Sequence, residues 1–130
     1  MRQNRKLLLP ILALIFFTIL FCLPGSALPK EDWLSDIWFD KWVHIGIFIT
    51  LLWLWCRALK LERSSAYIIA IMVAVAYGLS IEIIQDRLVT NRSFDLGDLL
   101  ADFIGSIIGV WLWARYKKIN PCRNRGRNQN

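Results

Sequence analysis

Residues 66–81 read AYIIAIMVAVAYGLSI, a stretch of sixteen residues without a charged side chain. Three further apolar stretches accompany it: residues 7–23 have no charge, residues 43–56 contain only His44, and residues 99–114 contain one carboxylate, Asp102. With its flanks, each stretch reaches the ~20 residues that a helix needs to cross a ~30 Å hydrocarbon core. The sequence therefore predicts an all-α fold, an integral membrane four-helix bundle.

The four spans use most of the 130 residues, so no sizeable soluble domain remains. We expect one transmembrane domain over residues 1–116, with spans at about 7–23, 42–57, 66–85 and 96–115. Residues 117–130 are polar and basic, which predicts a disordered cytoplasmic tail. The first loop contains Trp33 and Trp38 among acidic residues. Because Trp favours the headgroup layer, we expect a short interfacial segment in this loop.

The positive charges indicate the orientation of the bundle. The net charge is +6, and twelve of the sixteen basic residues flank the apolar stretches on the side that includes both termini. Cytoplasmic loops are enriched in Lys and Arg, so both termini are predicted to lie in the cytoplasm and the protein to be a multi-pass component of a bacterial cytoplasmic (inner) membrane. Because the charges flank the spans and form no single patch, we expect the lipid bilayer as a partner and no nucleic acid.

The first span has an alternative interpretation as a secretory signal. A basic start and an apolar stretch are followed by Gly25-Ser26-Ala27, which are small enough for a cleavage site. We favour a retained helix because the 17-residue apolar core is longer than that of a usual signal. Cleavage would leave three helices with the same inner and outer faces.

Polar side chains recur at steps of three and four near the outer ends of the last three spans. Such steps keep side chains on one helix face. The same faces continue as small residues, which let membrane helices pack closely, so the polar groups are predicted to point into the bundle. The polar cluster comprises Lys41, His44, Glu82, Gln85, Arg92, Asp95, Asp98 and Asp102, and the packing positions are Gly78, Gly105 and Gly109.

Two of these acids lie deep within their spans. Asp102 is ~10 Å along the helix from Asp95, and Glu82 is ~6 Å from Asp86. An unpaired charge in lipid at that depth costs about 2.5–3.5 kcal/mol or more, so both acids need partners or a water-filled cavity. We interpret Glu82 and Asp102 as site residues on this ground.

The other members of the cluster have simpler interpretations beside the functional one. We expect His44 to form a hydrogen bond with Glu82 or Asp98 that fixes helix packing. Asp95 and Asp98 are positioned to cap the fourth helix or to belong to the site, and both alternatives stay open. Cys22 ends the first span outside, Cys56 ends the second span inside and Cys122 lies in the tail, so we expect no disulfide and no thiolate metal site.

The ordered motifs resemble those of a known family. The series is Asp40-Lys41-x-x-His44, then Glu82-x-x-Gln85, then Arg92-x-x-Asp95-x-x-Asp98, followed by Gly105 and Gly109. It resembles the VanZ-like family of small bacterial membrane proteins over about residues 24–113, with the same four-span arrangement. The family usually has Asn at the position of Asp102, so this chain adds a negative charge there. The resemblance implies an accessory role at the cell envelope, with teicoplanin and other glycopeptide resistance as the antibiotic resistance associated with the family.

Two functional hypotheses follow. In the first, which we favour, the outward-facing polar cavity has a non-enzymatic role and binds a lipid-linked or glycopeptide-like ligand or a partner, without a cofactor. The alternative is a metal-dependent membrane hydrolase at the outer membrane-water interface, in which a divalent cation activates water. An oxygen-rich site would suit magnesium, manganese or calcium better than zinc. Its metal ligands would be His44, Glu82, Asp98 and Asp102.

Overall fold

Four helices make up the protein in a computed structural model that describes residues 2–24, 38–90 and 92–120. They are α1 (Arg2–Phe21), α2 (Phe39–Leu59), α3 (Ser64–Leu88) and α4 (Leu96–Ile119). The described residues contain no strand, which confirms the all-α fold class.

The surface of the bundle is apolar, as a membrane protein requires. Helices α2, α3 and α4 are each long and apolar enough to cross a membrane, whereas the apolar part of α1 is the shorter stretch Lys6–Phe21. On α3, the side chains of Ile68, Ile69, Met72 and Val73 are between 60% and 67% exposed. A contiguous apolar face of this kind is rare on a soluble monomer and suits contact with lipid. A membrane-spanning α1 and the orientation with both ends inside stay predictions.

Helices α2 and α4 form the most extensive contact in the bundle. Their N-terminal ends lie beside the C-terminal ends of α1 and α3, so α2 and α4 run parallel and the other two helices run against them. Two glycines let α4 approach the α2 backbone. A Cβ atom on Gly105 would lie 2.6 Å from the Ile45 carbonyl oxygen, and one on Gly109 would lie 2.7 Å from that of Ile49.

A compact turn connects α2 to α3. Lys60 adopts the left-handed conformation with φ 52°, and both its amide and that of Leu61 donate to the carbonyl of Cys56. These bonds satisfy the Cys56 carbonyl in the last turn of α2, where the chain reverses direction. The N-termini of α2 and α4 lie at the opposite end of the bundle from this turn.

Several helix boundaries extend beyond the predicted spans. Helix α2 begins at Phe39 and α3 continues to Leu88. Residues 117–119, which we assigned to the basic tail, belong to α4, where Lys117 lies 3.0 Å from the Glu62 carboxylate. Cations also interact favourably with the C-terminal end of a helix. The interfacial segment is predicted in the first loop, residues 24–41. Residues 39–41 of that loop belong to α2, whereas residues 25–37 and the tail from 121 onward lie outside the described residues.

Candidate functional site

Four ionisable side chains form a buried cluster where α2, α3 and α4 meet. The exposed fractions are 2% for His44, 0% for Glu82, 4% for Asp98 and 1% for Asp102. We call this group the inner layer. Three acids and one imidazole in so small a volume require compensation, since an unpaired buried charge is strongly destabilising.

His44 links α2 to α4 through both sides of its ring. Its Nδ1 atom lies 2.8 Å from Asp102 Oδ1, at hydrogen-bond distance, and its Nε2 atom lies 3.8 Å from Asp98 Oδ2. The ring also packs against Phe21 of α1, with centroids 4.7 Å apart. The sequence predicted a hydrogen bond from His44 to Glu82 or Asp98. The structure pairs His44 with Asp102 instead, because Asp102 lies one turn deeper on α4, level with His44 on the parallel helix.

Glu82 joins α3 to the start of α4. Its Oε2 atom accepts a hydrogen bond of 3.0 Å from the backbone amide of Asp95, which caps α4. Its Oε1 atom is buried and has no hydrogen-bond partner within the described residues. One half of this carboxylate is thus held by the fold, and the other half faces the interior without a donor.

Lys41 covers the inner layer on the side toward solvent. Its Nζ atom lies 2.6 Å from Asp95 Oδ2, 3.1 Å from Asp98 Oδ1 and 3.6 Å from Asp40 Oδ2. The side chains of Asp40 and Asp95 are 48% and 44% exposed. We call Asp40, Lys41 and Asp95 the rim.

Asp95 has two roles in the rim. Its Oδ1 atom accepts a bond of 2.7 Å from the amide of Gly97, which confirms the predicted cap of α4. The hydrogen bond from the Lys41 ammonium group holds the pKa of Asp95 below its usual value. Asp95 therefore stays ionised and holds Lys41 over Asp98.

Gly78 gives Asp102 the space that its side chain occupies. A Cβ atom on Gly78 would overlap Asp102 Oδ2, so the carboxylate lies directly against the α3 backbone. This Oδ2 atom is buried and has no hydrogen-bond partner among residues 2–24, 38–90 and 92–120. The small residue on α3 thus serves to admit a carboxylate from α4.

Gln85 and Arg92 stand apart from the group that contacts His44. Gln85 Nε2 donates a hydrogen bond of 2.9 Å to the carbonyl of Phe21, which attaches the end of α1 to α3. Arg92 forms no ion pair with an acid in the described part of the chain, and its Nε atom is buried without a partner there. Neither residue contributes a charge contact to the inner layer.

Sequence reasoning missed two residues at the site. Asp40 belongs to the rim, and its position next to Lys41 in the motif was a signal for it. Phe21 lies against the imidazole of His44, but nothing in its apolar stretch distinguishes it from its neighbours. The position of α1 in the bundle is needed to find it.

Three residues of the site have the geometry to hold a metal ion. His44, Glu82 and Asp98 each offer one ligand atom, and these atoms all lie within 4.8 Å of one another. Asp40, Asp95 and Asp98 form a second such group that is more exposed. Asp102, the fourth residue of the alternative ligand set, is outside both groups and is hydrogen-bonded to His44.

Comparison with known proteins identifies the family. A search of curated proteins and a search of solved structures each found no match. The family model described as VanZ/LLP1 matches residues 4–117, which include all four helices except the ends of α1 and α4, and the whole polar cluster. The chain therefore belongs to the VanZ/LLP1 family.

Proposed function

We propose that the polar cluster is a binding site, open to the outside of the cell, for the polar headgroup of a lipid-linked or glycopeptide-like envelope ligand, in a non-enzymatic role. The observation that supports it is the arrangement in two layers, an exposed rim above a buried group of acids. Helix packing accounts for the buried contacts, and the rim adds carboxylates of Asp40 and Asp95 that stay partly exposed.

The rim has the chemistry to recognise a polar headgroup. Asp40 and Asp95 present partly exposed carboxylates that accept hydrogen bonds from hydroxyl, amide or ammonium groups. Lys41, with 22% of its side chain exposed, offers a donor between them. A ligand that binds here would keep its apolar part in the bilayer beside α3, where the surface is apolar.

Family membership supports the envelope role in general terms. The VanZ-like resemblance also connects the chain to glycopeptide resistance, and that connection is part of the proposal. The charge distribution supports an inner-membrane position with the cluster outside, because the basic loops lie at the other end of the bundle.

The test compares two conservative variants that each remove one carboxylate. Asp95→Asn removes the rim charge while an Asn side chain can still cap α4. Glu62→Gln is the matched control, an exposed acid at the opposite end of the bundle. Each variant is returned to a deletion strain, and teicoplanin susceptibility and envelope-stress induction are measured at equal protein abundance. The proposal expects Asp95→Asn to fail and Glu62→Gln to complement.

A binding measurement separates the two ligand sources. Native mass spectrometry of the purified protein, with an extract of envelope lipids in one sample and teicoplanin in another, shows which one binds. We expect a complex in at least one sample that Asp95→Asn weakens. Equal complexes with Asp95→Asn and Glu62→Gln would contradict a site at the rim.

The hydrolase alternative has one observation in its favour, namely the grouped ligand atoms of His44, Glu82 and Asp98. A metal ion there would lower the pKa of a bound water and so supply a nucleophile. Against it, all three side chains are almost completely buried, which restricts access for a substrate. The mass spectrometry with envelope lipids also tests this alternative. A hydrolysis product that appears with the wild type but not with Glu82→Gln would support the hydrolase.

A further inference from the structure

Each of three buried residues has one polar atom held by the fold. His44 uses Nδ1 for Asp102, Glu82 uses Oε2 for the amide of Asp95, and Asp98 uses Oδ1 for Lys41. These bonds fix the orientation of an imidazole and two carboxylates. Such support is typical of metal ligands, whose other atoms are held by a carboxylate or a backbone group.

The remaining atom of each residue has no comparable bond. His44 Nε2 and Asp98 Oδ2 are 3.8 Å apart, which is too far for a hydrogen bond. Glu82 Oε1 is buried without a partner in the part of the chain that the structure describes. Unsatisfied buried polar atoms are rare in native proteins, and an ion is one of the standard explanations.

The distances agree with a shared cation. One ligand atom from each of the three residues lies within 4.8 Å of the other two. Two ligands bound to the same cation at about 2.0–2.6 Å are at most ~5 Å apart, so one ion reaches all three after small side-chain movements.

The charges of the site also favour a cation. Glu82, Asp98 and Asp102 are buried together, and the ammonium group of Lys41 contacts only Asp98 among them. With the imidazole of His44 neutral, as a metal ligand must be, this leaves an excess of negative charge in a region of low dielectric constant, which costs free energy unless a proton or a cation compensates it. A divalent cation between Glu82 and Asp98 supplies two positive charges.

From this geometry we infer that His44 Nε2, Glu82 Oε1 and Asp98 Oδ2 bind one divalent transition-metal ion, and that Asp102 positions the imidazole of His44. The inference deepens the proposed function and rests on it only for its biological use: the ion would complete the inner layer beneath the rim. One imidazole and two carboxylates suit Mn²⁺ or Zn²⁺. The sequence favoured Mg²⁺, Mn²⁺ or Ca²⁺ for a set with Asp102 as a third carboxylate ligand, but Asp102 is hydrogen-bonded to His44 instead.

Asp102 acts through His44 and is not itself a ligand. In this arrangement its carboxylate accepts a hydrogen bond from Nδ1–H of the neutral ring, which leaves the Nε2 lone pair free for the metal. Loss of such a support typically lowers metal affinity by about 10- to 100-fold. Asp102→Asn is therefore expected to weaken metal binding to that extent and not to abolish it.

The experiment uses the full chain purified in mild detergent. The protein is dialysed against Mn²⁺ or Zn²⁺, passed over a desalting column, and its metal content is measured by elemental analysis. The wild type should retain one ion per chain, and Glu82→Gln should lose it. Asp86→Asn is the matched control, because it removes an exposed acid from the same helix, one turn further on, and an Asn side chain can still accept the hydrogen bond from the Phe94 amide.

A second measurement does not depend on whether Glu82→Gln folds. Addition of the preferred metal to the metal-free wild type should raise its melting temperature with increasing concentration, since a ligand that binds only the folded state stabilises it. The electron paramagnetic resonance of bound Mn²⁺ should show modulation from a coordinated nitrogen, which His44→Gln removes.

Two results would overturn the metal site. One is a wild type that retains neither metal and shows no shift in melting temperature. The other is equal retention by Glu82→Gln and Asp86→Asn, which would place the metal elsewhere. Both results concern metal alone, so they leave the ligand-binding assays at the rim free to succeed or fail independently.

Discussion

His44 Nδ1 lies 2.8 Å from Asp102 Oδ1, so a buried hydrogen bond joins the parallel helices α2 and α4 one turn below the rim. Removal of one partner leaves the other buried without its bond, whereas removal of both leaves no stranded group. The double variant His44→Ala/Asp102→Ala should therefore lose less stability than the sum of the single variants. The expected coupling is about 0.5–1.7 kcal/mol, the range for polar contacts between membrane helices.

The coupling is measured by thermal melting, in detergent, of the wild type, the two single variants and the double variant. In metal-free protein, a parallel cycle with His44→Ala and Glu82→Gln is the control, because His44 and Glu82 share no hydrogen bond in the structure. Its coupling should be smaller. Strictly additive losses in the Asp102 cycle would show that the two side chains do not meet.

A second prediction concerns the close approach of α4 to α2. Gly105→Ala places a methyl group 2.6 Å from the Ile45 carbonyl oxygen, a backbone atom that cannot move aside alone. We expect a loss of about 1–3 kcal/mol, the usual cost of overpacking. Gly46→Ala on α2 is the control, since nothing lies within 4 Å of its added Cβ atom. Equal melting temperatures for Gly105→Ala and the wild type would mean that this face of α4 meets lipid.

A third prediction connects packing to the site. Gly78→Ala should displace the Asp102 carboxylate, because the new methyl group would occupy the volume of Oδ2. The His44 hydrogen bond should then weaken, so the coupling between His44→Ala and Asp102→Ala should shrink when it is measured in the Gly78→Ala background. Unchanged coupling there would show that Asp102 adjusts without losing His44.

A fourth prediction concerns the attachment of α1. Gln85 is 1% exposed and donates to the Phe21 carbonyl, so Gln85→Met removes the donor at similar volume. The expected loss is about 0.5–1.5 kcal/mol, the net value of a typical hydrogen bond. Proteolysis between α1 and α2 should become faster. Ser80→Ala, which removes an exposed hydroxyl from α3, is the control and should behave as the wild type.

The amino-acid sequence predicted the fold class and the positions of the polar residues because both depend on local regularities. Charge-free stretches reveal apolar helices, and steps of three and four place Asp95, Asp98 and Asp102 on one face. The partners of these residues depend on which helices lie side by side and at what height, which no local pattern contains. The bond between His44 and Asp102 follows from the parallel arrangement of α2 and α4, and the contact of Phe21 follows from the place of α1.

The central claim is that the polar cluster opens to the outside of the cell, and labelling of single cysteines tests it most directly. Ser93 is exposed two residues before the cap of α4, and Lys60 is exposed at the opposite end of the bundle. Cysteines placed at these positions, in a background with Cys22→Ser and Cys122→Ser and the buried Cys56 retained, are treated with a membrane-impermeant maleimide. We predict that Ser93→Cys reacts in intact bacteria and that Lys60→Cys reacts only after permeabilisation. Reaction of Lys60→Cys in intact cells, with Ser93→Cys protected, would place the cluster in the cytoplasm and contradict an envelope ligand.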